Sequence, residues 1–346
     1  MKQDRMSNIE LLRIIAMCGI IAIHYIAGHL GGMNTYAEFP NFSWFFCQGI
    51  YSVFCSLVNC FVLITGYFLV KSNTFGLRKA VDLIIITAFY GLVGYAIGVL
   101  CGNANLALQN IFYAIFPFFN DLRWFVETYI ILIILAPFIN KIFYNLDKKN
   151  FQILLTIQIS IFSLWYSTGL NSPMLDDGYG IINFLTLYAI GAYLRIYGLE
   201  TMLFKVNKVY FLIGYVCCTI ITFALSIFIY PFGYAFITNI LRSVFIFVYF
   251  LRIDIGANKI INSFSAAAFD VYFVHSDLYT SKLLIYELLE GKLIVGSVWM
   301  IPHMLFTVIV LYALGIILYK IRYYLFSKSI NKWLDKIYFI NKTNII

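Results

Sequence analysis

Residues 9–29, IELLRIIAMCGIIAIHYIAGH, form a long apolar segment that indicates the fold class of this chain. Its length is close to the roughly 20 residues that cross a hydrocarbon layer of about 30 Å at about 1.5 Å per helical residue. The charged residues Glu10 and Arg13 lie near its start, and the apolar run that follows contains His24. Because no small-residue cleavage site ends the run, we interpret it as a first membrane helix rather than a removed signal peptide.

Similar apolar segments recur from one end of the chain to the other. Of the 346 residues, 62% are hydrophobic and only 12% are charged, whereas a soluble domain needs about a quarter charged residues. Lipid must therefore surround most of the outer surface. We predict an all-α fold, a polytopic membrane helical bundle of about ten transmembrane helices. The predicted spans are residues 9–29, 46–70, 81–101, 122–141, 151–169, 181–198, 209–229, 234–252, 262–283 and 293–321.

Lysine and arginine are concentrated in alternate loops. They follow the second, fourth, sixth and eighth spans and flank the first and last, whereas the loops 31–44, 170–180 and 230–233 contain neither residue. This one-sided bias predicts a multi-pass protein of the cell (plasma) membrane with both termini in the cytoplasm. It also explains the formal net charge of +8 without a nucleic-acid partner, since the sequence has no basic face or RNP-like motif.

One membrane domain, residues 1–322, and a basic amphipathic cytoplasmic tail, residues 323–346, are predicted. Apolar side chains of residues 330–340 share one helical face in the tail, as in a helix lying on a membrane surface. Residues 106–121 are rich in aromatic residues but too short to cross, so we also expect them at the interface. The seven cysteines form no CxxC pair or Cys/His ligand spacing, so neither a disulfide framework nor a metal site is predicted.

Ionisable residues inside a membrane cost about 2.5–3.5 kcal/mol on insertion scales and are therefore candidates for function. Arg13 and His24 are eleven residues apart, so on one helix they share a face and are separated by roughly 16 Å along the axis. This spacing places Arg13 near the cytoplasmic boundary, where Glu10 can pair with it, and His24 near the middle of the membrane. Alternatively, Arg13 is a snorkelling positive-inside residue and His24 an interhelical hydrogen-bonding group.

Other ionisable residues fall deep within later spans. Arg242 lies at about the depth of His24 and needs a partner inside the bundle, for which we suggest Asp270. The pair is then either a structural lock between two helices or a site at which Arg242 stabilises a developing oxyanion or holds a phosphate or sugar. His275 and Tyr272, three residues apart, share a helical face, either as part of a binding site or as a packed polar pair.

Four segments resemble the membrane-bound acyltransferase-3 family. Residues 8–25, NIELLRIIAMCGIIAIHY, are similar to the opening of that family, whose first helix carries Arg, ten residues and then His. Residues 58–70, VNCFVLITGYFLV, resemble its Phe-x-x-x-Ser-Gly-Tyr pattern, with Thr65 in place of Ser. Residues 124–140, WFVETYIILIILAPFIN, resemble its Trp-Phe…Tyr…Pro-Phe-Asn helix, and residues 269–277, FDVYFVHSD, its Tyr-Leu-x-His segment. The segments occur in the family's order from the first predicted span to the ninth.

The resemblance implies a membrane O-acyltransferase that moves an acetyl or other acyl group from cytoplasmic acyl-CoA to a hydroxyl of a cell-surface or exported polysaccharide. His24 is then the catalytic histidine and Arg13 its partner near the donor. A neutral imidazole suits the removal of a proton from a hydroxyl as it attacks a thioester. Alternatively, His24 takes the acyl group first and passes it on, and the sequence leaves both routes open.

The remaining candidates are expected to bind donor or acceptor. The resemblance favours His275, together with Tyr272, in acceptor binding. Glu127 either binds acceptor hydroxyls or pairs with Arg123. Tyr67 falls in the cytoplasmic half beside the basic loop that follows the second span, where cationic groups suit the phosphates of acetyl-CoA.

Two other classes of function are weighed against the enzyme. A transporter or flippase for a lipid-linked glycan or small solute would also need intramembrane charges along a path, but the chain shows no paired inverted repeat. A catalytically idle scaffold would not need Arg13 and His24 on one face. The expected partners are acyl-CoA, a glycan acceptor and the lipid bilayer, with no permanently bound cofactor.

Overall fold

The computed structural model describes residues 5–27, 32–71, 77–116, 123–170, 176–198, 201 and 205–327. Within these ranges all regular secondary structure is helical, which confirms the predicted all-α membrane bundle. The predicted tail helix at residues 330–340 lies outside the described residues.

The bounds of the helices are as follows. The first half contains α1 (Ser7–Ile26), α2 (Phe42–Phe54), α3 (Leu57–Leu69), α4 (Leu77–Leu100), α5 (Leu108–Ile115), α6 (Trp124–Asn145), α7 (Lys148–Ile159) and α8 (Trp165–Ser167). The second half contains α9 (Ile181–Tyr197), α10 (Val209–Leu225), α11 (Ile237–Arg252), α12 (Lys259–Ser265), α13 (Ala268–Ser276), α14 (Leu278–Ser281) and α15 (Met300–Arg322). Short 3-10 helices span Met33–Tyr36 and Gly291–Ile294, and π-helical turns span Ser160–Leu164, Lys282–Leu288 and Tyr323–Ser327.

Five helical stretches of the described chain are long and apolar enough to cross a membrane. They are Ser7–Ile26, Phe42–Leu69, Arg78–Leu100, Trp124–Asn145 and Met300–Phe326. Helices α9 and α10 are apolar but shorter, with 17 residues each. On α15, Leu305, Phe306 and Ile309 are exposed, as expected for side chains that face lipid. The number of about ten spans stays a prediction.

Two predicted spans are interrupted. The span 46–70 divides between α2 and α3, and the span 262–283 divides among α12, α13, α14 and a π-helical turn. Helix α13 ends at Ser276, and the next residue, Asp277, has an extended backbone with φ −69° and ψ 139°. This carboxylate forms an ion pair with Arg123 at 2.7 Å. The same carboxylate accepts hydrogen bonds from the backbone N–H groups of Tyr279 and Thr280 at 3.2 and 3.4 Å, so it also caps the first turn of α14.

Helices α3 and α9 pack with almost no space between their backbones. A Cβ atom added to Gly66 would lie 2.2 Å from the carbonyl oxygen of Tyr188, and one added to Gly191 would lie 2.3 Å from that of Leu63. Real Cβ atoms do not approach so closely, so both helices need glycine at this crossing. The contact holds the α3 segment that resembles the family pattern in a fixed position.

Helix α1 lies at the centre of the bundle and packs against α2, α3, α11, α12, α13 and α15. Its first turn is anchored by Asn8, whose amide donates to the carbonyl oxygens of Phe250 at 2.8 Å and Ile253 at 3.0 Å. Buried amide groups need such partners because an unpaired one costs about 1–3 kcal/mol. The anchoring at one end positions the other end of α1, which carries His24.

Candidate active site

A cavity of about 270 Å³ lies at the end of the bundle where α1 ends and where α6, α9 and α11 begin. At its rim, Tyr179 and Tyr230 are 43% and 68% exposed, so the cavity wall reaches the molecular surface there. Two of the loops at this end, 170–180 and 230–233, lack lysine and arginine. The polar and aromatic side chains in the wall are those of Tyr51, Cys55, Phe61, Trp124, Phe125, Tyr179, Tyr230, Phe232, Tyr234, Phe269, Tyr272, Ser276 and His24.

His24 is half-buried and forms part of the cavity wall. It lies in the last turn of α1, because the helix ends at Ile26 rather than at the predicted residue 29. A helix of 20 residues is about 30 Å long, so His24 is nearer to the boundary of the membrane than to its middle if α1 crosses upright. The imidazole borders a space that a substrate can reach.

Arg13 lies away from the cavity wall, as its position three turns earlier on α1 predicts. Its guanidinium pairs with Glu10 at 2.8 Å, and Glu10 also accepts a hydrogen bond from Ser265 of α12. The expected Arg13–Glu10 pair is therefore present. Arg13 and His24 occupy one helix but are not brought into one contact site.

Tyr272 and His275 stand on the same side of α13, as predicted from their spacing. Their rings are 6.0 Å apart between centroids. Tyr272 lies in the cavity wall, whereas His275 is fully buried behind the wall. The centroid of the His275 ring is 5.0 Å from that of His24. The tertiary structure thus brings together two histidines that are about 250 residues apart in the chain, which the sequence analysis did not foresee.

Three aromatic side chains from separate elements meet at the rim. The ring of Trp124 lies 4.5 Å from that of Tyr179 and stacks on that of Tyr234 at 5.2 Å, and the two tyrosine rings are 5.1 Å apart. Burial raises the pKa of Tyr179, and it raises that of the neighbouring Tyr230 to about 12. These phenols therefore stay neutral and able to donate at ordinary pH. Tyr179 and Tyr234 were not among the predicted site residues, and their only signal in the sequence was their place in or next to loops without basic residues.

Arg242 does not pair with Asp270, so this prediction is wrong. The fully buried Arg242 guanidinium instead donates to the thiol sulfur of Cys55 at 3.0 Å and to the side-chain oxygen of Asn239. Cys55 belongs to the cavity wall, so Arg242 lies directly behind it. Its partner could not be identified from depth alone because α11 turns Arg242 toward the junction of α2 and α3.

Asp270 pairs with Arg322, which we had assigned to the edge of the membrane domain. The guanidinium holds the carboxylate at two points, with distances of 2.6 and 3.0 Å, and Tyr90 donates to the same carboxylate at 2.8 Å. The two-point geometry is a strong form of ion pair. Asp270 therefore joins α13 to α15 and α4 and is not part of the cavity wall.

Tyr67 and Glu127 lie outside the wall as well. The Tyr67 ring is covered by the guanidinium of Arg195 at 4.9 Å, near the end of α3 that is far from the cavity. Glu127 stands in the first turn of α6 and is, like Arg123, an electrostatic neighbour of Tyr272. Arg123 itself pairs with Asp277, a partner that the sequence analysis did not consider.

Comparison with known proteins gives one match. The model of the acyltransferase-3 family, described as an acyltransferase domain, matches residues 6–320. Neither the curated proteins nor the solved structures contain a match.

Proposed function

The chain belongs to the acyltransferase-3 family, whose model covers almost its whole length, and on this premise we propose that it transfers an acetyl group from acetyl-CoA to a hydroxyl of a cell-surface or exported polysaccharide. As a member of this family it is a membrane acyltransferase. Family membership favours the enzyme over the transporter or flippase weighed above.

The observation that carries the proposal is the His24 imidazole in the wall of a small aromatic cavity. At about 270 Å³ the cavity falls just below the range of about 300–1,000 Å³ that holds drug-sized ligands. It suits a short acyl thioester and a single sugar unit, whereas the nucleotide of CoA must stay outside. Aromatic rings with phenol donors, such as Tyr179, Tyr234 and Tyr272, offer apolar faces and hydrogen bonds to a sugar.

Direct transfer is the first of two routes for the reaction. A nitrogen of His24 accepts the proton of the acceptor hydroxyl, and the oxygen attacks the thioester carbonyl carbon. The carbon–sulfur bond breaks, and the departing CoA thiolate takes the proton back from the imidazolium. In the second route the His24 nitrogen attacks the thioester carbonyl, the carbon–sulfur bond breaks, and the CoA thiolate leaves with the proton from the other ring nitrogen. The acceptor hydroxyl then attacks the acyl-imidazole, the carbon–nitrogen bond breaks, and the hydroxyl proton returns to the imidazole.

Membrane orientation is part of the proposal. The cavity rim belongs to loops without lysine or arginine, which supports a location on the outer face of a plasma membrane protein whose termini are cytoplasmic. Arg13 and the Tyr67–Arg195 pair lie toward the opposite, cytoplasmic end. They are the proposed contacts for the phosphates of the donor, since guanidinium groups bind phosphates, and the pantetheine arm of CoA must then extend the roughly 16 Å along α1 that separates Arg13 from His24.

The rate of acyl transfer by the purified protein tests whether His24 is needed for the reaction. In lipid nanodiscs with radiolabelled acetyl-CoA and polysaccharide from the producing cells, we expect the label on the glycan as an ester. His24→Ala should lower the rate about 10²–10⁴-fold, the usual contribution of a positioned general base. His303→Gln is the matched control, because His303 bonds to Tyr25 at 2.8 Å and is not in the cavity wall. Full activity of H24A would refute the proposal.

Mass spectrometry of surface glycans, with and without this protein in the cell, tests the donor and acceptor. An acetyl mass that depends on the protein supports the proposal, while a succinyl or other acyl mass would correct the donor. Incubation with labelled acetyl-CoA but no acceptor separates the routes. Label on the His24 peptide supports the acyl-imidazole, and its absence during normal turnover supports direct transfer.

A further inference from the structure

His275 is fully buried in α13, yet one of its ring nitrogens has no hydrogen-bond partner among the described residues. Its Nδ1 lies 2.5 Å from the carbonyl oxygen of Val271, whereas its Nε2 is buried and unpartnered. A buried polar atom left unpaired costs about 1–3 kcal/mol. Such an atom next to a reactive group therefore needs an explanation.

The bond to Val271 determines where the proton of His275 is. A carbonyl oxygen only accepts, so Nδ1 must carry the hydrogen, and in a neutral imidazole the lone pair is then on Nε2. A full charge on His275 is disfavoured because the side chain is completely removed from solvent within a membrane bundle. Nε2 can therefore accept a hydrogen bond, and no described residue donates one to it.

The neighbouring ring that can supply this donor is that of His24. The ring centroids are 5.0 Å apart and the planes are inclined by 51°, so rotation of the His24 ring brings one of its nitrogens to hydrogen-bond distance from Nε2. Ser276, the next residue on α13, is not this donor, because its hydroxyl already donates to the carbonyl oxygen of Tyr272 at 2.7 Å. Catalytic hydrogen bonds are often long or misaligned before substrate binds and tighten in the complex.

We propose that His275 is a positioning residue that orients His24 by accepting a hydrogen bond from it through Nε2. With one His24 nitrogen donating to His275, the other nitrogen carries its lone pair toward the cavity. No proton passes to His275 in this scheme. When His24 takes the proton of the acceptor hydroxyl, its bond to His275 becomes charge-assisted and stronger, which stabilises the imidazolium until it protonates the CoA thiolate.

A neutral partner suits this location. In hydrolases with a Ser-His-Asp triad an aspartate holds the imidazole in place, but an aspartate next to His24 would add a charge inside the membrane domain. The same orientation is provided without a net charge by two successive hydrogen bonds, one from His275 to the Val271 carbonyl oxygen and one from His24 to His275. The inference rests on the proposed role of His24, so its test includes that residue.

Two substitutions of His275 separate orientation from packing. His275→Gln keeps an oxygen or nitrogen near the Nε2 position, whereas His275→Phe fills the space without an acceptor. We expect H275F to lower kcat about 10–100-fold, as loss of an orienting partner does elsewhere, with little change in KM. H275Q should recover part of the loss. Size-exclusion profiles and unfolding temperatures in detergent check that each variant folds.

The double variant H24A/H275F shows whether His275 acts through His24. If it does, the double variant is no slower than H24A, because there is no imidazole left to orient. Loss of activity in H24A with wild-type kcat in H275F would overturn this inference but not the proposed function. If H275F multiplies the loss of H24A, or if H275Q is as slow as H275F, His275 does not work by accepting from His24. Full activity of H24A would overturn the proposed function itself.

Discussion

Thr65 occupies the position where the family pattern usually has serine. Its hydroxyl donates to the carbonyl oxygen of Phe61 at 2.7 Å, and the Tyr129 hydroxyl lies 2.8 Å away. Because the Thr65 proton is used within α3, Tyr129 of α6 is the donor in the second bond. The hydroxyl, which serine shares, thus joins two helices next to the glycine contact with α9.

Replacing Thr65 with serine or valine tests this bond. Thr65→Ser should keep the stability and activity, whereas Thr65→Val should lower the free energy of unfolding by about 1–3 kcal/mol because it leaves the Tyr129 hydroxyl buried and unpaired. Thermal unfolding in detergent measures both. A T65V variant as stable as the wild-type protein would show that the hydroxyl bond to Tyr129 does not stabilise the fold, and a loss confined to T65S would be due to the missing methyl group.

The structure gives the location of each predicted site residue, whereas their roles stay predictions. His24 and Tyr272 were selected from the sequence and lie in the cavity wall. Arg242 and Asp270 were correctly recognised as groups needing buried partners, but each has a different partner from the predicted one. The order of side chains along a helix follows from counting residues, whereas the direction of each side chain depends on how its helix is rotated.

Among the helices, the Asp270–Arg322 pair ties α13 to α15. Asp270→Asn or Arg322→Met alone leaves the other group buried without its counter-charge, which typically costs about 3–5 kcal/mol. The double variant D270N/R322M should recover most of that loss, because no unpaired charge remains and the introduced amide oxygen can still accept from Tyr90. Unfolding temperatures of the four proteins provide the measurement. Additive losses in the double variant would contradict the pairing.

The close crossing of α3 and α9 leads to a second prediction, which concerns the stability of variants with a larger residue at the crossing. Gly66→Ala would place a Cβ 2.2 Å from a backbone oxygen of α9, so the helices must separate, and we expect a loss of about 1–3 kcal/mol or more. Gly49→Ala in α2 is the matched control, since no atom lies within 4 Å of the added Cβ. It should be neutral or stabilise the helix by about 0.5–1 kcal/mol. Equal behaviour of the two variants in thermal unfolding would rule out the close crossing.

For the whole molecule, the orientation of the cavity can be measured by cysteine labelling. In a background where the exposed Cys101 and Cys217 are replaced by serine, Asp176→Cys places a thiol in the loop next to the cavity rim. Lys149→Cys places one at the start of α7 in a basic loop. A membrane-impermeant maleimide should label D176C in intact cells and K149C only after permeabilisation. The reverse pattern would place the cavity on the cytoplasmic side.

The membrane bundle, the charge asymmetry of its loops and the histidine on the first helix could all be predicted from the amino-acid sequence. These features depend on apolar length, charge and residue spacing within contiguous segments, so no knowledge of packing is needed to find them.

Which polar groups contact each other could be learned from the packing of the helices alone. The nearness of His24 and His275, the break at Asp277 that forms the pair with Arg123, and the pairing of Asp270 with Arg322 all join segments far apart in the chain. An apolar pattern cannot reveal them, because a helix surrounded by lipid or by other helices is apolar on every side and does not show which face is turned inward. Packing sets that rotation, and the rotation places each polar side chain against its partner.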